Sequence, residues 1–140
     1  MLLVDTGFLL ALADGADAHH DRALQFAHTV AEGWATTWPV LTEAVYLVSQ
    51  RLHSDAVEPM LDDVASGVLS VWDIPVATVS NIKALMRRYR NLPMDLADAS
   101  LVLLAEHLGT GRILTTDQRD FGAYRWKARK PFVDVMQSEG

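Results

Sequence analysis

"MLLVDTGFLLAL" (residues 1–12) sets nine apolar side chains around one carboxylate, Asp5. Burying an ionised carboxylate without partners costs on the order of several kcal/mol, comparable with the net stability of a whole domain. Asp5 therefore either caps the start of a helix or belongs to a site that needs negative charge in a confined place. "LLV" (2–4) reads as a short buried parallel strand and "GFLLALA" (7–13) as a helix. A strand handing over to a helix through an acid is the unit from which the rest of the chain is read.

The alternation continues outward. Residues 20–32 carry Ala23, Leu24, Ala27, Val30 and Ala31 at helical spacing, with Gly33 as the stop. "WATT" (34–37) is a strand, and "LTEAVYLVSQRL" (41–52) puts Leu41, Val45, Val48 and Leu52 on one helical stripe. "DAVEPMLDDVASG" (55–67) is a helix closed by Gly67, with Pro59 bending its first turn. "VLSVWDI" (68–74) is a strand, residues 77–90 a helix, and "LADASLVLLAEHLG" (96–109) the clearest helix, closed by Gly109. "RILTT" (112–116) is a strand and "FVDVM" (132–136) a last edge strand. Strands separated by helices of about ten residues imply crossover connections and a parallel sheet covered on both faces. The expected fold class is α/β: a single domain over residues 1–140, built as a three-layer α/β/α sandwich with a mostly parallel central sheet.

Composition bounds the function. A chain of 140 residues, half of them hydrophobic, can bury a sizeable core. It has no cysteine, so disulfides and thiolate metal sites are excluded and a reducing compartment is compatible. The apolar N-terminus is broken by Asp5 and lacks a basic flank, and no uninterrupted apolar run reaches the ~18 residues of a membrane span. A cytoplasmic protein is expected. The net charge of −6 argues against a protein that coats nucleic acid through phosphate contacts. The charge is uneven, however: Arg87, Arg88 and Arg90 form one basic knot, and Arg125, Lys127, Arg129 and Lys130 another.

In open parallel α/β sheets, sites form beyond the carboxyl ends of the strands. Asp5 follows "LLV" and Asp117 follows "RILTT", so two strands deliver carboxylates to one sheet edge. Glu43 and Asp98 fall in the first turns of two helices, and Asp95 is placed to be the N-cap of the second, three residues before Asp98. Packed carboxylates repel one another unless protonated or neutralised by a hard cation. Acids without cysteine or a well-placed histidine suit Mg²⁺ or Mn²⁺ rather than Zn²⁺. A cation held this way activates water and stabilises charge on a phosphodiester during in-line attack.

The motifs "LLVDTGFLLAL", "LTEAVYLV", "MDLADASLVLLAEHLG" and "ILTTDQRDF" resemble those of PIN-domain ribonucleases, in particular the VapC-type toxins of bacterial toxin–antitoxin pairs, over the whole chain. The resemblance implies a PIN-like fold and an Mg²⁺-binding quartet of Asp5, Glu43, Asp98 and Asp117 that cleaves RNA, with Thr6 and Thr116 hydrogen-bonding behind the acids. It leaves Asp95 as an additional acid, since members of the family vary there. It also implies an antitoxin over the active-site side and a homodimer. Candidate RNA contacts are Arg87, Arg88 and Arg119.

Blander roles stand beside these. Glu43 could be an ordinary first-turn acid, Asp120 a solvated or capping residue, and His19 and His20 surface residues of a polar loop. Trp34, Trp38, Trp72 and Trp126 fit a core, although Trp126 between Arg125 and Lys127 is also placed to meet RNA. Three other functions compete. A PIN-type nuclease outside a toxin–antitoxin pair would share the acids. A catalytically inactive binding module would have no use for clustered negative charge facing a polyanion. A phosphoacceptor domain would need a lysine at a late strand end, and none stands there.

Overall fold

The first strand, β1 (Leu2–Val4), is fully buried and lies at the centre of the sheet. The computed structural model describes residues 1–138. After β1 come α1 (Thr6–Ala13), α2 (His20–Thr29), β2 (Trp34–Thr37), α3 (Trp38–Arg51), α4 (Glu58–Ala65), β3 (Leu69–Trp72), α5 (Val79–Arg88), α6 (Leu96–Leu108) and β4 (Arg112–Leu114). The chain continues through α7 (Gln118–Ala123), β5 (Arg125–Trp126), β6 (Lys130–Pro131), β7 (Val133–Asp134) and α8 (Val135–Ser138). The main sheet runs β3–β2–β1–β4–β7, every pair parallel, with Leu2 beside Trp34 and Val4 beside Leu114. Helices flank this sheet as an α/β/α sandwich, as the alternation predicts. Among the described residues no helix is long and apolar enough to cross a membrane.

The strand order carries the functional consequence. The chain leaves β1 for β2 and β3 on one side, then returns to place β4 on the other side of β1. Connections therefore depart in opposite directions from β1 and β4, opening a crevice at their carboxyl ends. Leu101, Val102 and Leu104 of α6 are almost wholly buried, as are Phe8 of α1 and Val40 and Val48 of α3. Burial of this apolar surface drives the layers together.

Several boundaries differ from expectation. α2 stops at an extended cap, Val30, and Gly33 instead leads into β2, its carbonyl accepting the Leu2 N–H at 2.8 Å. α3 begins at Trp38 rather than Leu41, because Thr37 caps it and Pro39 fits the first turn, where no N–H partner is needed. Residues 55–67 are not one helix: a 3₁₀ turn (Ser54–Val57) precedes α4, which starts where Pro59 permits. A second 3₁₀ turn (Val76–Thr78) likewise leads into α5. In "FVDVM" only Val133 and Asp134 are strand, and Val135 and Met136 turn inward as helix. The antiparallel β5–β6 hairpin was unexpected; its turn holds Lys127 and Ala128 at φ 48° and 67°.

The approach of this hairpin to β4 leaves no room at Gly111. A Cβ there would stand 2.2 Å from Trp126 Nε1 and 3.1 Å from the Pro131 carbonyl oxygen, the pair that already share a hydrogen bond. Gly111→Ala should therefore destabilise the protein by ~1–3 kcal/mol through overpacking. Thermal or urea unfolding measures this, and an unchanged midpoint would contradict the packing described.

Candidate active site

Asp5 answers both of the alternatives its sequence position raises. Its Oδ1 accepts the Phe8 N–H at 2.8 Å, capping α1. Its Oδ2 accepts the hydroxyl of Thr115, and the side chain is buried at the β1–β4 crevice. Thr115 Oγ1 in turn accepts the Asp117 N–H at 2.8 Å, so one hydroxyl ties the two strand-end acids together. Asp117 caps α7 by accepting the Asp120 N–H at 3.1 Å. Asp95 caps α6 by accepting the Asp98 N–H at 2.8 Å, as the spacing predicts. Three helix N-termini, those of α1, α6 and α7, thus each bring a capping aspartate to one place.

That place is a cleft of about 550 Å³. Its walls carry Asp5, Glu43, Asp95, Asp98, Asp117 and Asp120, with Arg119 as the cation among them. Thr6, Gly7 and Thr116 also line it, and a Cβ on Gly7 would stand 2.1 Å from Thr116 Oγ1, so the Thr116 side chain lies directly over the glycine. Arg87 and Arg88 lie outside the cleft lining, on the exposed end of α5.

Some assignments change. The hydroxyl that serves Asp5 and Asp117 belongs to Thr115, not Thr116, because β4 ends at Leu114 and Thr115 turns into the protein, fully buried. Glu43 is in the second turn of α3, since that helix starts early, so it reaches the cleft without help from the helix terminus. Asp120 joins the cleft wall. Its signal was readable: Asp95–Asp98 and Asp117–Asp120 repeat one spacing at two helix starts. Tyr124 had no such signal, yet its buried hydroxyl donates to Asp98 Oδ2 at 2.9 Å. Trp126 is buried, with Lys127 and Lys130 over its ring, so it offers no stacking face, whereas Trp38 is 48% exposed and not core. His20 Nδ1 lies 2.6 Å from the Ala11 carbonyl, outside the cleft.

The electrostatics follow from this crowding. Burial pushes the Asp5 carboxyl up to about 7, aided by repulsion from Asp117 and Asp134 and opposed by the bonds from Thr115 and Phe8. Burial likewise raises Asp98 to about 7, with repulsion from Asp95, Asp117 and Asp120 adding and the Tyr124 bond opposing. Asp120 is raised too, by burial and then by its contact with Asp117. The Tyr124 hydroxyl is pushed up by burial and by the negative Asp98 it faces. Oxygen donors alone, several of them resisting ionisation, match in chemistry a site for a hard divalent cation. Among the described residues, no three of these carboxylates converge on a single point. They line the cleft, and side-chain rotation would be needed to enclose an ion.

Comparison with known proteins points the same way. A family profile for the PIN domain matches residues 2–127. The chain is 30% identical over 124 residues to Ribonuclease VapC26 of Mycobacterium tuberculosis, covering 89% of this chain and 92% of that protein. It also superposes on the crystal structure of Mycobacterium tuberculosis VapC20, described as a Sarcin-Ricin loop cleaving toxin, with a TM-score of 0.79. That match covers 85% of this chain and 92% of the other at 20% identity, a likeness of fold.

The raised carboxyls make a prediction about stability. Asp5 and Asp98 titrate near 7 when folded and near 4 when unfolded. The folded state thus binds more protons across that window, and stability falls as pH rises through it. The protein in a chelating buffer should melt higher at pH 5 than at pH 8, and Asp98→Asn should shrink the difference. A melting temperature that is flat or rises with pH would contradict the crowding described.

Proposed function

The chain belongs to the PIN-domain family and resembles its VapC-type ribonucleases, and on that footing we propose that it is an Mg²⁺-dependent endoribonuclease, the toxin of a type II toxin–antitoxin pair. The observation that carries this reading is that the capping aspartates of α1, α6 and α7 all line the crevice where the strand order reverses. Asp5, Asp98 and Asp117, with Glu43 opposite, would hold Mg²⁺ or, in its place, Mn²⁺. These residues would hold the cation, whose chemistry when bound would be to activate a water and to shield the charge building on the phosphodiester.

The protein's own groups prepare that chemistry. Asp5 is fixed on both oxygens, so it presents a rigid charge that cannot swing away. Thr115 holds Asp5 and Asp117 in register. Tyr124 orients Asp98 from behind, as partners of ligands commonly do. Thr6 and Thr116 offer hydroxyls at the cleft wall, and Arg119 offers the positive charge a phosphate would meet there. A cognate antitoxin would cover this acidic side with a basic side chain, and the toxin would act as a homodimer.

Asp95 and Asp98 separate structural from chemical roles. Asp95→Asn keeps an acceptor for the Asp98 N–H, so stability should shift by only a few tenths of a kcal/mol and most cleavage should survive. Asp98→Asn retains an acceptor for Tyr124 but loses the charge, and should abolish RNA cleavage in a fold that stays intact. Cleavage rates and melting temperatures of both variants decide the matter. Wild-type cleavage by Asp98→Asn would sink the proposal, and equal loss in Asp95→Asn would move Asp95 into the metal site.

A further inference from the structure

The cations of this chain are not spread over its surface. Eight of its twelve lysines and arginines lie in residues 83–90 and 125–130, two segments that contain no acid, leaving four cations among all eighteen acids elsewhere. These segments are distant in sequence but joined in the fold. Arg88 Nη2 donates to the Ala128 carbonyl at 3.2 Å, the Arg125 N–H donates to the Tyr89 hydroxyl at 3.1 Å, and the Tyr89 and Tyr124 rings meet edge to face at 5.1 Å. The end of α5 and the β5–β6 hairpin are thereby one surface, on which Arg87, Arg88, Arg90, Lys127, Arg129 and Lys130 are all exposed. Glu106, the acid in contact with the hairpin, accepts the Lys127 backbone N–H.

We propose that this α5–hairpin surface is the RNA anchor of the enzyme, binding the phosphates that flank the scissile bond. The inference rests on the ribonuclease reading above and adds where the strand is held. Six carboxylates leave the cleft net negative even with Arg119 and one divalent cation in it, so cations outside it are needed to draw in a polyanion. The patch borders the cleft. Tyr124 touches Tyr89 on one side and Asp98 on the other, and Leu92 and Pro93, which follow Arg90, line the cleft wall. The hairpin is also stiffened, with Lys127 and Lys130 lying 5.7 and 4.9 Å over the Trp126 ring, whose N–H is fixed to Pro131. Single-stranded RNA is favoured over a protein partner because only small apolar residues, Ala84 and Ala128, are exposed among the cations and no large apolar side chain of these two segments is exposed, the pattern that suits phosphates rather than a protein interface.

The test compares two variants of equal net charge in the Asp98→Asn background, where the RNA stays intact. Arg87→Gln/Arg129→Gln removes two cations from the patch; Gln25→Glu/Gln50→Glu adds two acids at exposed positions elsewhere. Binding of a fluorescent single-stranded RNA of about twenty nucleotides is followed by anisotropy over a range of salt. The patch variant should bind about tenfold more weakly at ~0.1 M salt, and its slope of log affinity against log salt should be shallower by ~1.4. The control should bind like its parent. Unchanged binding by the patch variant, an equal loss in the control, or unchanged RNA binding with a lost dimer in size-exclusion chromatography would each overturn the assignment. Failure of the unsubstituted protein to cleave this RNA in Mg²⁺ would instead mark failure of the nuclease reading itself.

Discussion

The structure turns on one buried carboxylate whose two oxygens are both engaged. Asp5 receives the Phe8 N–H at the start of α1 and the Thr115 hydroxyl from the neighbouring strand end. Each bond offsets part of the penalty for removing the charge from water, and the first is reinforced by the positive end of a helix. This combination is available where a strand passes directly into a helix beside a second strand that turns the other way. In this fold that is the junction of β1 and β4. The burial of Asp5 and the order of the strands are two aspects of one arrangement.

The same device recurs around the crevice. Asp95 and Asp117 are also helix caps, and each is followed three residues later by another acid facing the cleft. A helix terminus favours a negative charge by only ~0.3–1 kcal/mol, too little to offset several carboxylates in one cleft. Burial first, and then repulsion from the neighbouring acids, raises the Asp5 and Asp98 carboxyls. Such local destabilisation is expected where a fold keeps charge for chemistry rather than for packing.

The layers, the parallel sheet and the Asp-bearing strand ends were legible because apolar runs and helical spacing are set by residues close in sequence; the strand order was not, since it depends on which distant strands pair. The misses arose where distant residues decide. Thr115 and Thr116 are identical in the sequence, and the end of β4 determines which one turns inward. The start of α3 depends on a Thr37 cap and Pro39, which moved Glu43 out of the first turn. Tyr124 reaches Asp98 through tertiary packing alone. The β5–β6 turn lacks the Asn or Gly that usually marks a positive-φ hairpin, so "KARK" gave no warning.

The central claim is that these carboxylates act through a divalent cation. The direct measurement is cleavage of single-stranded RNA by the purified protein, freed of any bound partner, in Mg²⁺, in excess EDTA, and after Mg²⁺ is restored. Cleavage is expected in the first and third conditions and none in the second, with a melting temperature that rises on adding Mg²⁺. Cleavage that continues unchanged in excess EDTA would contradict that claim.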